Sequence, residues 1–132
     1  MGLAGKQRMI AGELPVLDRK LLMLAGAIAT QPKLLLMDEP VGGLSPKEID
    51  HMMETVRKIA HGGVTIMLIE HVMRFLVQLS SRVLIMHHGE GIYLGPPDGL
   101  VKDRLVVDVY LGEGASQRLS ALMRIPVNDN AP

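Results

Sequence analysis

Apolar residues fall into two patterns along this chain. Leu34-Leu35-Leu36-Met37 and Val64-Thr65-Ile66-Met67-Leu68-Ile69 are short runs without strict apolar–polar alternation. Such runs predict strands buried on both faces, as in a parallel sheet covered by helices. Each ends in polar groups: Asp38-Glu39 before Pro40, and Glu70-His71. Elsewhere the spacing is helical. Ile49, Met52, Met53, Val56 and Ile59 form an i, i+3, i+4, i+7 stripe, introduced by Ser45-Pro46-Lys47-Glu48. Ser45 is the expected N-cap, Pro46 the first helical residue and Glu48 the closing member of a capping box. Gly62-Gly63 then ends the helix.

An earlier helix is predicted from Asp18, as cap, through Ala29, with Leu14 to Leu17 extended or turning before it. It is apolar nearly all round after Lys20, which predicts burial on more than one side. Residues 1–13 suggest only a short helical start. Further on, the pattern predicts a short helix at Met73–Leu79, a strand at Arg82–Met86 and a hairpin return at Ile92–Leu94. A helix is expected over Leu100–Leu111, with a polar, flexible tail over 112–132. Strands alternating with helices imply right-handed parallel crossovers and a three-layer α/β domain over 1–111.

Composition narrows the class. The 132 residues amount to one domain, and 48 % hydrophobic content marks a globular chain. Aromatics make up only 2 %, so Leu, Ile, Val and ten Met must fill the core. Fourteen basic residues balance fourteen acidic ones, which argues against a nucleic-acid footprint. Without Cys there is neither a disulfide frame nor a thiolate metal site. The longest apolar run, Leu21 to Ala29, is far shorter than the roughly 20 residues of a membrane helix. Met1 to Lys6 has no apolar signal core, so a cytoplasmic location is expected.

Asp38 and Glu39 are the leading chemical candidates. A strand end at the carboxyl edge of an α/β sheet is where such folds place ligands. Asp38 is suited to hold Mg²⁺, and Glu39 to orient or deprotonate an attacking water, as at the Walker B end of a P-loop nucleotide hydrolase. The plain alternative is a solvated acidic turn. His71 is either a satisfied strand-end imidazole or a phosphate contact. His51 and His61 suggest no chemistry, and the neighbours His87 and His88 lack further ligands for a metal.

Order and spacing carry a resemblance. A strand ending Asp38-Glu39-Pro40, then Gly43-Leu44-Ser45-Pro46 and a capped helix, then a strand ending Ile69-Glu70-His71, resembles the C-terminal half of an ABC transporter ATP-binding subunit. It covers roughly Ala11 to Gly114. Val109-Tyr110-Leu111-Gly112-Glu113 resembles the end of the branched-chain amino acid import ATPases. The resemblance implies a P-loop NTPase-like, three-layer parallel-sheet fold with ATP and Mg²⁺ as ligands. It implies Asp38 as the magnesium aspartate, Glu39 as the catalytic glutamate and His71 as the switch histidine. Gly43-Leu44-Ser45 matches the D-loop, at the interface with a second ATP-binding subunit. The signature motif falls on Leu14 to Asp18, in altered form: the serine is replaced by Pro15 and the glutamine by Asp18. Leu14, Asp18 and Ser45 are the nucleotide-contact positions this implies.

The expected partners are that second subunit and membrane permease subunits. The expected place is the inner face of the cell membrane, with no nucleic acid bound. No Gly-x-x-x-x-Gly-Lys-Ser/Thr phosphate loop occurs in the sequence, so the cassette is expected to be incomplete. Apolar surface near Leu34 and Val64 should then lie exposed. A non-catalytic interaction module is the competing function. DNA-repair ATPase heads fit less well, because no sustained heptads appear.

Overall fold

The structure, a computed structural model, describes residues 2–111 together with Leu119 and Ala121. The chain divides into two compact units, Met1–His71 and Val72–Pro132. In the first, two short 3₁₀ turns (Ala4–Lys6 and Ala11–Glu13) precede helix α1 (Val16–Ala29), strand β1 (Leu34–Asp38), helix α2 (Pro46–His61) and strand β2 (Thr65–Ile69).

Helix α1 begins three residues before the expected start, with its cap at Pro15 in place of Asp18. Pro15 has φ −53° and ψ 157°, and its carbonyl accepts the Arg19 N–H at 3.0 Å. Asp18 therefore lies in the first turn, where a carboxylate is favoured by the helix dipole. Only one stripe of α1 is buried. Leu21 and Leu24 are inside, three residues apart, while Leu22 and Met23 face outward and Met23 is 75 % exposed. The apolar sequence of α1 after Lys20 predicts more cover than the described residues supply.

Helix α2 follows its sequence signals. The Ser45 N–H and hydroxyl both donate to the Glu48 carboxylate, at 2.8 Å and 2.6 Å. Met52, Met53 and Val56 are buried along one face. The helix closes at Gly62, and Gly63 follows at φ +92°, a conformation that costs glycine little.

Strands β1 and β2 pair in parallel, with Leu34 opposite Thr65, Leu36 opposite Met67 and Asp38 opposite Ile69. The expectation of burial on both faces does not hold. Leu35 is buried, but Leu34, Leu36, Met67 and Ile69 are each more than half exposed. Alternation puts these four on one face of the pair. The strands have the composition of a sheet covered on both sides, and one cover is absent from the described residues.

The second unit contains helix α3 (Met73–Leu79), an antiparallel hairpin of β3 (Val83–His87) and β4 (Glu90–Gly95), and a short helix α4 (Arg104–Val106) that continues as a π-type turn over Val107–Leu111. The hairpin turns through His88 and Gly89, both at positive φ. The helix expected from Leu100 starts only at Arg104. Asp103 sets that start by accepting the Val106 N–H at 3.1 Å. Leu76, Val77, Val83, Ile85, Leu100, Val106 and Leu119 form the core of this unit. The tail expected over 112–132 lies, apart from Leu119 and Ala121, outside the described residues.

The face of β1 and β2 that the described residues leave uncovered gives the chain an apolar surface. We expect it to bind an apolar dye and to associate with rising concentration in sedimentation runs. The double substitution Leu36→Lys and Met67→Lys should abolish both effects while changing folding stability by under about 1 kcal/mol, because both positions are exposed.

Candidate functional site

The ends of β1 and β2 build the site. Pairing extends one residue past the strands, through the Glu39 N–H donating to the Ile69 carbonyl at 2.9 Å. Glu39 then turns the chain at φ +44°. That conformation costs a non-glycine residue roughly 1–3 kcal/mol, so the surroundings must hold it. The ladder bond is one restraint. The Glu39 carbonyl is also held by the Lys20 ammonium at 3.2 Å and the Gly42 N–H at 3.3 Å. Gly43, at φ +76°, completes the turn towards α2.

Glu39 and His71 meet at this edge. The His71 Nδ1 lies 3.4 Å from the Glu39 Oε1, and both side chains are about 60 % exposed, at 63 % and 62 %. The separation exceeds the roughly 2.7–2.9 Å of a tight charge-assisted bond. The two groups stand side by side facing solvent, a base and an imidazole able to address one bound molecule. Asp38, the last residue of β1, is exposed beside them and shares the face of Leu34 and Leu36.

Glu70 is the residue that sequence reasoning missed. Its side chain is wholly buried. One carboxylate oxygen accepts the Val41 N–H at 3.1 Å, and the other accepts the His71 N–H at 2.9 Å. Burying a carboxylate costs several kcal/mol unless hydrogen bonds satisfy it. The available signal was a carboxylate directly following an apolar run, which demands a partner.

The other candidates sit differently. The Ser45 hydroxyl is engaged by Glu48 at the start of α2. Leu14 is buried just before α1, and Asp18, also buried, pairs with the Lys6 ammonium. The structure brings Glu39 and His71 together, and holds Leu14 and Asp18 at the start of α1 instead. Among the described residues no three His, Asp or Glu side chains converge to hold a metal. Asp38 suits Mg²⁺ as a single hard oxygen donor, since that ion usually takes one or two carboxylates and completes its shell with water and phosphate. His87 and His88 contact each other edge to face, with ring centres 4.1 Å apart, in the second unit.

The chain is homologous to the ATP-binding proteins of ABC transporters and carries part of the fold of their ATPase cassettes. It is 35 % identical over 97 residues to the high-affinity branched-chain amino acid transport ATP-binding protein LivG of Escherichia coli (strain K12), a match covering 73 % of this chain and 38 % of LivG. It is 33 % identical over 104 residues to the corresponding protein BraF of Pseudomonas aeruginosa, covering 78 % of this chain and 41 % of BraF. The galactose/methyl galactoside import ATP-binding protein MglA of Yersinia pestis is 31 % identical over 113 residues, 86 % of this chain and 22 % of MglA.

Among solved structures, MJ1267, an ATP-binding cassette of an ABC transporter, superposes with a TM-score of 0.71 at 29 % identity. That match covers 79 % of this chain and 43 % of MJ1267. The chain thus spans about two fifths of the length of LivG and BraF. No protein-family model matches it.

The Ser45 bonds hold the Glu48 carboxyl below its ordinary value of 4.5, chiefly through the side-chain hydrogen bond and then the backbone one. A carboxyl lowered on folding stabilises the fold above its unfolded value, and the gain is lost as pH falls through the folded value. Glu48→Gln should therefore flatten part of the fall in melting temperature between about pH 5 and pH 3. A melting series across that range checks it; parallel wild-type and variant curves would refute the link.

Proposed function

We propose that this chain supplies the magnesium and water side of an ATP-hydrolysing site in an ABC importer. The observation that carries this reading is the approach of Glu39 and His71, 3.4 Å apart, at the carboxyl ends of a parallel strand pair. Asp38 is the residue to hold Mg²⁺. The bound ion would supply neutralisation of the phosphate charge. Glu39 orients the attacking water and takes up its proton. His71 donates a hydrogen bond to a γ-phosphoryl oxygen. The water oxygen bonds to phosphorus as the bond to the β-phosphate oxygen breaks, releasing ADP and phosphate.

The phosphate cradle must come from polypeptide outside this sequence, which contains no Gly-x-x-x-x-Gly-Lys-Ser/Thr loop. Ser45, Leu14 and Asp18 would face nucleotide only across an interface with a second ATP-binding subunit. Permease subunits at the cytoplasmic face of the membrane complete the assembly, and no described helix is long and apolar enough to cross it. Branched-chain amino acids are the preferred cargo class, by likeness to LivG and BraF. The missing loop also favours a second reading, a non-catalytic module that docks without turning over ATP.

Mixing the chain with a polypeptide bearing the phosphate-loop part of LivG separates the two. We expect phosphate release from MgATP by the mixture, with Glu39→Gln and His71→Ala each lowering kcat by roughly 10²- to 10⁴-fold. A mixture that releases no phosphate, or one indifferent to Glu39→Gln, leaves the module reading in place.

A further inference from the structure

The geometry points to Glu70 as a positioning residue that sets the relative placement of Glu39 and His71. The inference rests on the hydrolytic role proposed for that pair. Beyond the Glu39–Ile69 ladder bond both segments leave their strands, one turning through Pro40 and Val41, the other passing through Glu70 to His71. The Glu70 carboxylate bridges them. Its Oε1 takes the N–H of Val41, itself 1 % exposed, and its Oε2 takes the N–H of His71. The same Oε2 lies 3.8 Å from the His71 Nδ1. One buried group therefore fixes the backbone two residues after Glu39 and the backbone that carries the imidazole.

The chemistry requires a carboxylate. Both oxygens accept, so two N–H groups on different segments are satisfied at once. A glutamine of the same size has one oxygen and one NH₂, and the NH₂ would point at an N–H donor. Glu70→Gln thus breaks the bridge while keeping the packed volume. Glu70→Asp keeps both acceptors on a shorter arm.

Amide hydrogen exchange on the whole chain tests the bridge directly. In Glu70→Gln, whichever of the Val41 and His71 amides is left facing the NH₂ should exchange at least about tenfold faster, in line with losing its charge-assisted bond, and the other should exchange faster by less, since it keeps a neutral acceptor. The Glu39 amide and the β1–β2 ladder should keep their rates, and Glu70→Asp should recover part of the protection. In the mixture with the phosphate-loop polypeptide, Glu70→Gln should lower kcat about tenfold or more while KM for MgATP stays level.

Unchanged exchange at Val41 and His71 overturns the inference. So does acceleration spread evenly over both strands, which would mark Glu70 as a stabiliser only. So does an unchanged kcat in a working mixture. A wild-type mixture without hydrolysis sinks the proposed function by itself. The exchange result on the chain alone then still upholds or overturns the hold of Glu70 on the two segments.

Discussion

The register of β1 against β2 is the constraint on which the rest depends. Parallel pairing sets Asp38 opposite Ile69, and the ladder runs one bond further to Glu39. A slip of one residue would send every side chain of one strand to the opposite face. Leu35 would leave the core, and Leu36 would replace it. The slip would also part Glu39 from His71, because each follows its strand end by a fixed number of residues. Packing and chemistry are thus specified by the same row of backbone bonds. The positive φ of Glu39 belongs to this arrangement. It is an unfavourable conformation, held because the residue is bonded through both its N–H and its carbonyl.

Local signals in the sequence are legible where a single residue type has a single job. Ser45, Pro46 and Glu48 announce a helix start, and the structure makes the expected bonds. The apolar runs at Leu34 and Val64 announce strands, and they pair as a parallel crossover predicts. The errors arose where two residues compete for one job. Asp18 is a better cap by type than Pro15, yet the chain uses Pro15, and Asp18 pairs with Lys6 instead. Asp103 likewise sets the start of α4, although the apolar pattern begins at Leu100.

Burial departs from the sequence pattern for a different reason. Continuous apolar runs encode the environment of a finished sheet, not of the piece in hand. Leu22 and Met23 on α1, and Leu34, Leu36, Met67 and Ile69 on the strands, are apolar and exposed. Their identity answers to cover that the described residues do not provide. The place of Glu70 is not legible in the sequence, because it depends on tertiary contact with Val41, twenty-nine residues earlier in the chain. Spacing along a sequence carries no trace of such a contact. Glu39 and His71 were legible because strand ends are legible, and a parallel pair brings its ends together.

The uncovered sheet face and the candidate site are not separate features. Alternation along β1 places Leu34, Leu36 and Asp38 on one side, and the register adds Met67 and Ile69 to it. A polypeptide that buries this whole face reaches Asp38. Covering four large apolar side chains would drive association, at roughly 25 cal/mol for each Å² removed from water. Under the proposed function, that same cover must bring backbone N–H groups and a lysine to the phosphates beside Asp38. Burial of Leu36 and Met67 would then be the step that assembles the nucleotide site. The energy of folding the two pieces together and the geometry needed for hydrolysis would come from one surface.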